Sequence, residues 1–205
     1  MDGMRNVLAL GAHPDDLELG CGATLAKLAA AGVQVHAVVF TDGGKGTQEG
    51  SDRAAETHDA LTCLGVQNIH LHSFPDTRLH ECLNDLIGMI ERHVAAVLPD
   101  RVYTMFAEDR HQDHRAVYDA SAVACRRVRQ MLAYETPSSY PNFVPTVFEP
   151  VDDFIERKVQ ALKLHRSQGD RLYMHEDKIR SAAHFRGVQV DLGQTEGFIP
   201  YKLVL

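Results

Sequence analysis

NVLALGAHPDDLELGCGATLA, Asn6 to Ala26, changes character abruptly at Gly11. Val7 to Leu10 is an unbroken apolar run, the pattern of a strand covered on both faces. Leu19 to Ala31 reads as an amphipathic, alanine-rich helix stopped by Gly32. Between them stand His13, Pro14, Asp15 and Asp16. Pro14 fixes its own φ and drives His13 out of the helical region, so the turn is stiff. An unpaired buried charge is costly, so two adjacent aspartates and a histidine are poor filler for a strand-to-helix turn.

Outward from this stretch, strand and helix alternate. VQVHAVVFT is a strand, followed by the glycine-rich loop DGGKGTQEG. Ser51 or Asp52 caps a helix that runs to Leu64 and stops at Gly65. NIHLHSF is a short strand, Leu83 to Leu98 a helix ended by Pro99, RVYTMF a strand, Asp113 to Arg129 a helix and MLAYE a strand. TPSSYPNFVP is a loop, Phe154 to Leu164 and His175 to Phe185 are helical, and FIPYKLVL is extended. Strands separated by helices imply an α/β fold with a mostly parallel central sheet and helices on both faces, a Rossmann-like three-layer sandwich. The 205 residues fit a single domain, 1–205.

The totals exclude several classes. A net charge of -7 gives no reason to expect nucleic acid as a partner. No run approaches the ~18 apolar residues of a membrane span, and the N-terminus lacks a signal-peptide pattern, so a cytoplasmic protein is expected. The four cysteines form no C-x-x-C pair and read as reduced, structural thiols. GCGAT, from Gly20, is a poor dinucleotide-binding match because it falls inside the predicted helix.

Two polar clusters follow predicted strands. The first is AHPDD; the second is AEDRHQDH, Ala107 to His114. Ligands in such folds bind at the carboxyl ends of the strands, so the two clusters belong to one edge. His13 and Asp16 are three apart, as are His111 and His114, and either of the latter histidines could ligate. Taken singly, Asp15 or Asp16 also suits a helix cap, where negative charge meets the dipole, but capping leaves His13 unexplained. Two histidines and a carboxylate around one cation leave a position for water, the open arrangement of catalytic zinc. Fe²⁺ or Co²⁺ suits the same donors. A spare aspartate would take the water's proton, and Asp113 could hydrogen-bond an imidazole.

The pattern A-H-P-D-D-x-E-L-G-x-G-x-T-L-A with a later H-x-D-H resembles the PIG-L (LmbE-like) N-acetylglucosaminyl deacetylase family. VVFTDGGKG, Arg53 with Glu56, FPDTRL, SSYPNFVPTVFEPVD, KLHRSQ and FRGVQVDLGQTEGF extend the likeness over essentially the whole chain. The resemblance implies a zinc-dependent hydrolase that removes acetyl from the 2-acetamido group of a small GlcNAc-type sugar. It implies His13, Asp16 and His114 as metal ligands and Asp15 as general base. It implies His111 as stabiliser of the oxyanion, with Asp113 orienting it. Arg53 and Arg110 match positions facing an anionic aglycone, and Asp42 and Asp76 lie on loops suited to sugar hydroxyls. Gln112 stands where many relatives have proline. Members are often oligomers, so a homo-oligomer is the expected assembly.

Overall fold

A computed structural model describes residues 3–46 and 52–204. Strand β1 (Asn6–Gly11) lies inside the sheet, with Val7, Leu8, Ala9 and Leu10 wholly buried. Its continuous apolar run follows from cover on both faces. β2 (Gln34–Val39) and β4 (Arg101–Thr104) pair parallel to it on either side. β3 (Asn68–Leu71) extends the sheet beyond β2, and β5 (Gln130–Tyr134) beyond β4, both parallel. β7 (Thr195–Leu203) and β6 (Val147–Pro150) then add an antiparallel edge, giving the order β3-β2-β1-β4-β5-β7-β6. The fold is therefore the mostly parallel α/β sandwich expected.

Helix α5 (Ile155–Leu164) packs on α1 (Asp16–Ala30) and α2 (Arg53–Cys63), while α3 (Leu83–Val97) packs on α4 (Gln112–Ala124). The last helix, α6 (Glu176–Val188), lies against β7. No helix among the described residues is long and apolar enough to cross a membrane.

Several boundaries differ from the sequence reading. α1 begins at Asp16 instead of Leu19: its first turn buries the acids Asp16 and Glu18 together with Leu17, so a polar stretch belongs to the helix. α4 ends at Ala124 instead of Arg129, since the chain turns through Cys125–Val128 before β5. β6 lies just after the proline-rich loop, where the sequence reading has no strand. Asp52 does cap α2, accepting from the Ala55 amide at 3.0 Å; Ser51, the alternative cap, and much of the glycine-rich loop lie outside the described residues. Gly20 is a packing requirement: a Cβ there would meet the Tyr134 ring at 2.0 Å. That ring's hydroxyl donates to the Leu10 carbonyl at 2.7 Å, tying β5 to β1 beneath α1.

Candidate active site

Five strand ends deliver loops to one edge of the sheet. His13 follows β1, Gly43 and Lys45 follow β2, Asp76 and Thr77 follow β3, His111 and His114 follow β4, and Thr136 to Ser138 follow β5. These line a cleft of about 390 Å³. Its position beyond the carboxyl ends of β1 and β4 is where α/β sheets reverse their strand order and open a crevice.

The turn after β1 is built on strain. Asp15 stands at the N-cap position of α1, without a side-chain cap hydrogen bond, at φ 92°, a left-handed conformation uncommon outside glycine and tolerated best by Asn and Asp. That backbone turns Asp15 and Asp16 apart. Asp16 accepts from the His13 amide at 2.7 Å. Its Oδ2 lies 3.4 Å from His13 Nδ1 and its Oδ1 3.2 Å from His114 Nε2. The two imidazole centroids are 5.3 Å apart, so the two distant sequence clusters do converge.

Each of these imidazoles also meets a buried carboxylate at its other nitrogen. His13 Nε2 is 3.1 Å from Asp113 Oδ2 and 3.3 Å from Asp76 Oδ1. His114 Nδ1 is 3.2 Å from Asp109 Oδ2. Burial pulls both histidines down, but the surrounding carboxylates prevail: His13 stands well above its ordinary pKa and His114 at about 9. Burial likewise opposes ionisation of Asp76 and Asp109, yet hydrogen bonds from His13 and His114 respectively lead in bringing each down to about 2.

Asp15 is the exception among the acids. Burial and the charge of Asp16 push it up to about 7, against the pull of Arg53 and His165. Arg53 touches its Oδ2 at 3.4 Å. The same guanidinium donates to the Pro14 and Gly43 carbonyls at 2.7 and 2.9 Å, locking the β1 and β2 loops together. Gly43 must be glycine there, with φ 64° and no room for a Cβ beside Arg53.

His111 caps α4. Its Nδ1 accepts from the Asp113 amide at 3.2 Å, which leaves Nε2 as the N–H of the neutral ring. Burial, then the charges of His13 and His114, lower its pKa. The Asp113 carboxylate faces His13, and not His111 as the sequence reading expected; Thr77 and Leu79 amides hold it at 2.7 and 3.0 Å.

Donor chemistry fits a divalent cation. Ligand nitrogens of His13, His111 and His114 lie within 4.8 Å of one another. The 3.2 and 3.4 Å separations around Asp16 match the ligand edge of about 3.3 Å in a tetrahedral zinc site. His13 with Asp76 and Asp113 forms a second close group. There, amides of Lys45, Thr77 and Leu79 already occupy the carboxylates. Among the described residues Asp16 accepts from one amide, that of His13, so the His13–Asp16–His114 side has the freer lone pairs.

Two expected contacts are absent. Asp42 is exposed, closes a turn onto the Gly44 amide at 2.9 Å and does not line the cleft. Arg110 donates to the Ser138 and Pro137 carbonyls at 3.2 and 2.8 Å and is likewise outside the lining. Glu56 does not pair with Arg53; it receives the Ser167 amide and hydroxyl at 2.9 and 2.6 Å. The residues missed are Asp109, Lys45, Arg171 and Tyr173 in or beside the cleft, and a wholly buried His165–Glu18 pair at 3.0 Å behind Asp15. Asp109, Lys45, Glu18 and His165 lie inside the motifs AEDRHQDH, VVFTDGGKG, HPDDLELG and KLHRSQ, whereas Arg171 and Tyr173 fall in no motif. A more apolar cavity of about 250 Å³ adjoins, sharing Leu19, Thr136, Pro137 and Tyr173 with the cleft and containing none of the cleft histidines.

Known proteins share the sequence and the fold. Residues 8–125 match the family described as PIG-L, GlcNAc-PI de-N-acetylase. The chain is 51% identical over 170 residues to the uncharacterized deacetylase YaiS of Escherichia coli, covering 80% of this chain and 91% of the relative. It is 29% identical to the diacetylchitobiose deacetylase of Thermococcus kodakarensis, covering 96% and 84%. The crystal structure of the conserved protein TT1542 from Thermus thermophilus superposes with a TM-score of 0.86 at 26% identity, covering 98% and 97%. The chain therefore belongs to the PIG-L deacetylase family.

Proposed function

We propose that this chain is a divalent-metal-dependent N-deacetylase that removes acetyl from the 2-acetamido group of a small GlcNAc-type sugar. The carrying observation is the Asp16 carboxylate between His13 and His114, with Asp15 beside it and held near neutrality. The diacetylchitobiose deacetylase relative supports the sugar class.

His13, Asp16 and His114 would hold the ion, and the all-nitrogen-and-oxygen donor set suits zinc, with Fe²⁺ or Co²⁺ as substitutes. A divalent ion there supplies Lewis-acid polarisation of the acetamide carbonyl and a more acidic water. Asp113 with Asp76 would fix the ring of His13, and Asp109 that of His114, from the far nitrogens.

Asp15 takes the proton as the water oxygen bonds to the carbonyl carbon. A base poised near the working pH is the efficient one. The oxyanion receives a hydrogen bond from His111 Nε2–H, a contact of the kind worth ~10²–10³ in rate. Protonated Asp15 then returns its proton to the nitrogen, the C–N bond breaks, and acetate and the free amine leave. Arg53 positions Asp15 from behind, and its guanidinium at the cleft wall also suits an anionic group on the aglycone.

The test is acetate release from N-acetylglucosaminides with neutral, carboxylate and phosphate aglycones, with and without chelator. Chelator-sensitive release from at least one glycoside is expected. Release that persists after complete metal removal, or activity confined to non-sugar N-acyl compounds, would overturn the reading.

A further inference from the structure

A second group of histidines lies outside the cleft. His36 on β2, His70 on β3, His72 just beyond it and His93 on α3 form a continuous row. Ring centroids are 6.2 Å apart for His36–His70, 4.9 Å for His70–His93 and 5.2 Å for His93–His72. The register sets Val38 beside His70 and His36 beside Asn68. Side chains alternate along a strand, so residues 36, 70 and 72 share one face, and α3 lays His93 across it. None of the four lines the cleft. At the end of the row, His72 Nε2 and His93 Nε2 are 2.9 Å apart.

Where carboxylates lead in raising His13 and His114 in the cleft, the neighbouring charges that act on His36, His72 and His93 are other imidazoles and, for the last two, Arg92. The Nδ1 of His36 is buried with no partner among the described residues. A packed layer of aliphatic side chains would cover the same surface without orphaned nitrogens. Burial, then the neighbouring rings, lower His36, His72 and His93, the last to about 4. Near pH 7 these three rings are neutral, and neutral imidazole is the ligand form.

We propose that His72, His93 and His70 form a second transition-metal site, for a borderline cation of the Zn²⁺, Cu²⁺ or Ni²⁺ class. Imidazole donors select these ions over Mg²⁺ or Ca²⁺. His72 and His93 are the fixed pair. Opening their nitrogens from 2.9 Å to the tetrahedral edge of about 3.3 Å takes a few tenths of an ångström. His70, in ring contact with His93, becomes the third ligand by side-chain rotation. His36 lies nearly parallel to His70, with 5° between planes and 6.2 Å between centroids.

Zinc content after loading with Zn²⁺ alone and gel filtration tests it. Wild type, His13→Ala, the His72→Gln/His93→Gln pair and the triple variant are compared. The paired change should remove one equivalent in both the wild-type and the His13→Ala background; no loss in either background overturns the proposal. The wild-type protein gives a check independent of variant folding. In long-range ¹H–¹⁵N spectra, the ring nitrogens of His72 and His93 should shift on Zn²⁺ addition. Resonances that stay in place sink the site, whatever happens at His13 and His114.

Discussion

His114 in the cleft and His93 on α3 are the same side chain held in opposite states. His114 touches Asp16 and Asp109, and the acids outweigh its burial, lifting it to about 9. His93 meets the imidazoles of His70 and His72, and burial leads in lowering it to about 4. Burial lowers both rings; it prevails at His93, and only the facing carboxylates override it at His114. The cleft collects charge that a cation would balance, whereas the β3–α3 row collects neutral lone pairs. A count of twelve histidines conceals that difference.

The largest expected effect concerns the one cleft acid that escapes the histidines. Asp15→Asn should lower kcat by about 10²–10⁴ while bound metal, measured by elemental analysis, stays unchanged. In chelated protein the same variant should be more stable than the parent at pH 8. An acid raised from 3.8 to about 7 disfavours folding progressively as pH rises between those values, and asparagine removes that penalty. Equal melting at pH 8 would contradict the environment assigned to Asp15.

Next comes the carboxylate behind His114. Asp109→Asn should weaken metal binding about 10–100-fold, read by chelator competition, with the cleft otherwise intact. The same substitution at Asp76 should act on His13 in the same direction. If neither alters affinity, the far-nitrogen partners do not tune the ligands.

Thermal melts against pH set the two histidine regions directly against each other. A raised histidine stabilises the folded state below its unfolded value of 6.5, and that support is lost as pH climbs through about 9. Chelated His114→Gln should therefore melt below the parent at pH 6 and converge with it near pH 10. A lowered histidine acts the other way, its support present above 6.5 and lost as pH falls towards 4. His93→Gln should match the parent near pH 8 and resist acid better. Differences on the order of 2–4 °C are expected in each case. Parallel curves would erase the distinction.

The smallest effect is reserved for Gln112, which opens α4 beside the cleft. Its Nε2 donates to the Thr77 carbonyl at 2.9 Å. Proline suits the first helical position, so Gln112→Pro exchanges one hydrogen bond for a stiffer cap. A change in Tm of about 1–2 °C is expected, with metal content untouched.

Legibility followed how local each signal was. β1 announced itself because a strand buried on both faces must be apolar throughout. The start of α1 did not, since Asp16 and Glu18 are buried by contacts to His114 and His165, far along the chain. β6 was hidden beside prolines, and only pairing with β7 defines it. Asp113 stands out in sequence for its place between His111 and His114, yet its carboxylate crosses to His13. Asp42 and Arg110 looked available because sequence shows a charge but not the carbonyl or amide that occupies it.

The chain's order of residues alone determined the alternating architecture and the paired His/Asp clusters after β1 and β4. Those follow from backbone stiffness, apolar periodicity and the rule that such sheets bind at their carboxyl edge. Only the tertiary structure decided which oxygen faces which nitrogen, that Asp15 stands near neutrality, and that four scattered histidines line up between β2, β3 and α3. Interactions between charges depend on distances of a few ångströms and on exclusion of water, and neither exists until the sheet has brought remote segments together.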